Sequence, residues 1–200
     1  MTRLSALLFA VLSLLFMVLI IWFVSLGSPV GDWNAKIDSL VANWNQFNSL
    51  STIWRLEFLV VNGIAWAAFN LADLNKWWNL IGIGHILMLT EYIFMIGGYK
   101  EVKTEESFHI LNEIANWVFI SSNMIWVIGM MGVYAAEKGF LKIAGMILSG
   151  ISIIFITIIF FEWVEQQQLM GIAMPVILLL YLLNTYYGYY LYKSKIKSTN

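Results

Sequence analysis

From Leu4 to Leu26 the chain carries no charged residue. A run of that length matches the roughly 20 apolar residues a helix needs to cross a hydrocarbon core about 30 Å thick. Five further apolar runs follow, at about 52–72, 79–97, 111–134, 141–161 and 172–192, so the pattern predicts six transmembrane helices. The runs are continuous rather than alternating in segments of about 10 residues, which argues against a transmembrane β-barrel. At 60% hydrophobic and 12% charged, with a mean hydropathy of +0.78, the chain has too little polar surface for a water-soluble domain of 200 residues. The expected fold is an all-α integral membrane protein, a six-transmembrane-helix bundle that forms one domain over 1–200.

Arg3 ahead of the first run raises the question of a secretory signal. The run exceeds the roughly 7–15 apolar residues of such a segment, and no small-residue cleavage pattern precedes Gly27, so a retained first span is expected. Counting Lys and Arg sets the orientation. With the N-terminus inside, the inner side holds seven (Arg3, Lys76, Lys138, Lys142, Lys193, Lys195, Lys197) and the outer side four (Lys36, Arg55, Lys100, Lys103). Both termini are therefore expected on the cytoplasmic side of a plasma membrane. The tyrosines of "NTYYGYYLYK" then mark the interfacial belt of the last span.

Two connections are long. In 27–51, Trp33, Ile37, Leu40, Val41, Trp44 and Phe47 recur at helical spacing, and Asp32 stands where a cap would. This predicts an outer-face amphipathic helix over about 33–47. It either lies in the membrane interface or packs across the outer ends of the spans; in an accessory subunit its Trp33–Phe47 face would be the docking surface for a membrane-protein partner. In 98–110, Thr104 followed by Glu105 and Glu106 predicts a helix start near 105. Pro175 is expected in the first turn of the sixth span.

Polar residues within spans are costly and usually face protein or water. Residues seven apart nearly superimpose on a helix. In the second span Arg55, Asn62 and Asp73 share a stripe with Trp66, while Glu57 points to the opposite side near the outer end. In the fourth, His109, Asn116 and Asn123 are seven apart, flanked by Asn112 and Glu113. In the third, Glu91 stands seven residues from both Gly84 and Gly98, a small-residue stripe that admits a neighbouring helix and turns Glu91 towards the bundle. Folding the spans antiparallel brings Asn62 level with Glu91, with Arg55 about 5 residues higher, or roughly 7–8 Å. Glu91 also falls between Asn116 and Asn123. The expected cluster is Glu91, Arg55, Asn62, Asn116 and Asn123, rimmed by His109, Asn112 and Glu113. Glu91 would be its titratable centre and Arg55 the counter-charge. His85 points elsewhere on the third span and reads as a core histidine bonded to a neighbour.

The residue inventory excludes a good deal. With no cysteine there is no disulfide, thiolate metal site or thiol nucleophile. A net charge of −1 gives no nucleic-acid footprint. "ILSG" at 147–150 lacks the second glycine of a GxSG nucleophile turn, "EESFH" at 105–109 lacks the arginine of a paired-glutamate membrane protease, and no HExxH, GxGxxG or phosphate loop occurs. The three aspartates are scattered. No catalytic set, metal site or cofactor is expected. What remains is a non-enzymatic multi-pass protein with an outward-facing polar pocket for a small polar ligand or ion, in small-solute or proton-linked transport or sensing. The alternative is a structural or accessory subunit whose polar cluster only holds helices together; a membrane-embedded enzyme ranks third.

Overall fold

The computed structural model describes residues 2–26, 49–102, 104–161, 163 and 166–197, the side chains of 166–172 and 195–197 excepted. The expected amphipathic helix at 33–47 lies outside the described residues. Among the described residues six α-helices follow one another: α1 (Thr2–Ser25), α2 (Ser49–Leu71), α3 (Trp78–Gly98), α4 (Glu105–Ala135), α5 (Gly139–Phe160) and α6 (Gln166–Lys197), with a 3-10 turn (Tyr99–Glu101) after α3. The first five are each long and apolar enough to cross a membrane.

Helix bounds run past the apolar runs where polar residues supply good ends. α4 begins at Glu105 rather than 111 because Thr104 caps it: its hydroxyl accepts from the Ser107 amide and its own amide donates to Ser107 Oγ, both at 3.2 Å. Thr104→Ala removes that exchange and should cost about 1 kcal/mol. Hydrogen exchange of the first-turn amides of α4 should speed up about fivefold while the rest of the helix is unchanged. Pro175 is a correction. It sits inside α6, not in its first turn, because the helix already starts at the polar Gln166. Hydropathy marks the apolar length of a helix, not its hydrogen-bonded length.

Each helix packs on the next in sequence, and α6 packs back on α1, so the six close into a ring. Close approach is built at particular glycines. A Cβ on Gly84 would meet the Trp126 amide nitrogen at 2.6 Å, and one on Gly129 would meet that of Ile81 at 2.8 Å, so α3 and α4 touch backbone to backbone. Gly188 of α6 stands in the same relation to Ala6 and Ala10 of α1.

A ring of six helices would leave a central gap, and large aromatic side chains fill it in tiers. At the end carrying Thr2 and Lys197, here the terminal end, Phe9 meets Trp78 edge-on at 4.9 Å and Trp78 stacks on Tyr187 at 6.0 Å. In the middle, Tyr181 contacts Phe16 at 4.9 Å and Trp126 at 5.1 Å, with His85 against Trp126 at 5.6 Å. Towards the opposite, far end, Trp54 packs on Tyr99 at 5.5 Å and Tyr99 on Phe108 at 5.8 Å. Several of these contacts join helices that are not neighbours in the ring, so the interior is packed rather than an open pore.

Candidate functional site

Between the middle and far tiers lie two carboxylates. Glu57 of α2 and Glu91 of α3 are 4% and 6% exposed, and they are close enough for their charges to repel. At 1.5 Å per residue Glu57 is about 12 Å from the far end of α2 and about 21 Å from the other. The Tyr92 phenol donates to the Glu57 carboxylate and ties α3 to α2. Tyr181 reaches in from α6 within electrostatic range of Glu57 and Tyr92, and Tyr99 within range of Glu91. No lysine or arginine is buried among the described residues. Glu91 Oε2 and the Tyr181 hydroxyl have no hydrogen-bond partner although both are buried.

The structure breaks up the expected cluster. Glu91 does face the bundle, but Arg55 and Asn62 are exposed on the outside of α2. The reason is competition between faces. Ile53, Val60, Val61, Ile64, Ala67, Ala68 and Leu71 form a closely packing stripe that α1 and α3 cover, and this outweighs the cost of leaving the Arg55–Asn62 stripe outward. Glu57 rides on the winning face, so the group beside Glu91 is a second acid rather than a base. Asn123 is 4% exposed, but its amide is spent within α4: Nδ2 donates to the Phe119 carbonyl at 2.8 Å and Oδ1 accepts from Trp126 Nε1 at 2.9 Å. Asn116 is half-buried. Of the rim residues, Asn112 accepts from the Tyr99 hydroxyl at 3.0 Å, while His109 and Glu113 are exposed and His109 sits 3.6 Å from Glu105 on its own helix. A cavity of about 20 Å³, room for roughly one water, lies between α4, α5 and α6. Asn123 and Ser152 line it together with apolar side chains, and neither carboxylate does.

Tyr92, Tyr181 and Glu57 were the residues missed. One signal was available: Trp78, His85, Tyr92 and Tyr99 stand seven apart, as do Phe9, Phe16 and Phe23, each set marking one helix face. Apart from Phe23, which is exposed near the far end of α1, those faces line the interior of the ring. His85 accordingly lies inside it, 1% exposed, its Nδ1–H donating to the Ile81 carbonyl at 2.7 Å.

Chemically, two carboxylates and two phenols in a closed interior offer oxygen ligands and groups that exchange protons. Among the described residues no group of three His, Asp or Glu converges as a multidentate metal site would require. No family model, curated protein or solved structure matches this chain.

Proposed function

We propose that this is a six-span plasma-membrane protein with both termini cytoplasmic and an outer-face helix at Trp33–Phe47. In this reading the Glu57–Glu91 pair takes up and releases a proton or a small monovalent cation, in proton-linked transport or sensing. One observation carries it: two acids share a buried space with no base beside them. Two ionised carboxylates there would repel in a medium that screens poorly, so a proton or cation completes the site. Access is from the far end, where Tyr99 links the neighbourhood of Glu91 to the half-buried Asn112.

The Glu57–Tyr92 hydrogen bond favours a second reading, in which the polar groups only stitch α2 to α3. Glu91→Gln separates the two. Binding predicts that the infrared carbonyl band of a protonated carboxyl, present in the wild type and titrating with pH, disappears in Glu91→Gln with the thermal midpoint unchanged or raised, since a like-charge contact is removed. Stitching predicts a lowered midpoint and no titrating band in either protein, and that result sinks the binding reading.

A further inference from the structure

Beyond the carboxylates, the interior holds polar groups at successive levels towards the terminal end. His85 lies seven residues, or about 10 Å, from Tyr92 and the same from Trp78. Its Nδ1 proton is committed to the Ile81 carbonyl, so Nε2 is a bare acceptor, fully buried and without a partner. The large majority of buried side-chain polar atoms have a partner, so the bare Nε2 stands out. At the next level the Tyr134 hydroxyl donates to Asn184 Oδ1 at 2.7 Å, and the Tyr134 and Tyr187 rings are 5.4 Å apart. The Tyr187 hydroxyl donates to Glu137 Oε1 at 2.5 Å, and Glu137, in the turn between α4 and α5, is half-exposed. On the far side the Tyr99–Asn112 bond completes the series.

We infer that the ring interior is a through-route for protons, running from Tyr99, which Asn112 holds in place, past Glu57, Glu91, Tyr92 and Tyr181 to His85, and on to Tyr134, Tyr187 and Glu137. The inference rests on the carboxylate pair binding a proton, and it decides between the two uses left open for that site: passage across the membrane rather than sensing. The route requires internal water at the steps between levels, and Glu91 Oε2, the Tyr181 hydroxyl and His85 Nε2 each supply one of the polar partners such a water needs. Each hydroxyl turns from its resting acceptor to give its proton to the next oxygen or nitrogen on the route and takes another on the lone pair left free; Tyr99 turns from Asn112 and Tyr134 from Asn184 to do so. His85 takes a proton at Nε2 and returns it from the same nitrogen while Nδ1–H stays on Ile81. Asn184 holds the Tyr134 hydroxyl in place and carries no proton itself. One proton enters at one end and one leaves at the other, with no oxidant and no leaving group.

The full-length protein in liposomes that enclose a pH-sensitive dye, driven by a potassium gradient with valinomycin, tests this. The wild type is expected to carry protons well above protein-free liposomes, and Glu91→Gln to abolish the flux. His85→Asn keeps a donor at the Nδ1 position and deletes Nε2; Tyr187→Phe deletes the hydroxyl and keeps the ring. Both should slow the flux at least tenfold with the thermal midpoint unchanged. Glu137→Gln, at the surface end and least able to disturb the fold, should slow it as well. Wild-type flux at the protein-free level, with the carboxyl band still titrating, overturns the route and leaves proton binding standing. Normal flux in His85→Asn, Tyr187→Phe and Glu137→Gln also overturns it. Absence of both flux and band overturns the route and the binding site together.

Discussion

Trp78→Ala should lower the stability of the bundle by about 3 kcal/mol, read as a fall in thermal midpoint in detergent. Trp78 is fully buried, edge-on to Phe9 of α1 and stacked on Tyr187 of α6, so one side chain from α3 bridges two helices that do not flank it in the ring. Truncating a buried tryptophan in a water-soluble core costs about 3–5 kcal/mol, part from transfer and part from the cavity left behind. In a bilayer the transfer part shrinks, because lipid tails are as apolar as the core, and the cavity part remains. The value therefore falls at the low end of that range. Trp78→Phe, which refills part of the space, should recover more than half of the loss. An unchanged midpoint in the alanine variant would show that the terminal-end tier does not hold the ring together.

Gly84→Ala comes next, at about 1–3 kcal/mol. The new methyl would stand 2.6 Å from the Trp126 nitrogen and 2.8 Å from the Ser122 carbonyl oxygen, so backbone must move rather than a flexible side-chain tip. Gly150→Ala on α5 is the matched control. Nothing lies within 4 Å of its Cβ position, and the change should be neutral or stabilising by some tenths of a kcal/mol. If both variants melt together, the α3–α4 contact is looser than the geometry implies. Gly84→Ala also shifts α3, which carries Glu91 and His85, so flux should fall with stability in this variant, whereas Trp78→Ala at its lower tier should leave the titrating carboxyl band in place.

Much of the architecture was legible because its causes are local. Uninterrupted apolar runs set the helices, Thr104 ahead of Glu105 and Glu106 marked the start of α4, though not its Ser107 partner, and the glycine spacing around Glu91 correctly turned that residue inward. The site was less legible because it depends on the rotation of two helices at once. Arg55 and Glu57 are two residues apart, close to opposite sides of α2, so choosing which faces in exchanges a base for an acid beside Glu91. A rule that sends polar residues inward picks the Arg55–Asn62 stripe; the packing of Val61, Ile64 and Ala68 against neighbouring helices picks the other. Asn123 escaped for a different reason, since its amide is satisfied within its own helix by Phe119 and Trp126. The seven-residue spacing of Trp78, His85, Tyr92 and Tyr99 was in plain view, but hydropathy counts aromatic rings as generic apolar mass and does not register that only rings are large enough to reach across a ring of six helices.

The closure of α6 on α1 bears on biosynthesis. Helices emerge from the ribosome in order, and α1 is made well before α6, yet Ala6, Ala10 and Phe16 pack against α6. Trp126 and Tyr134 likewise wait for Tyr181 and Tyr187. Without α6 the ring is not closed, and the interior that holds Glu57, Glu91 and His85 lacks the Tyr181 that α6 brings to it. Closing the ring thus depends on its contact of greatest sequence separation, the kind that forms most slowly.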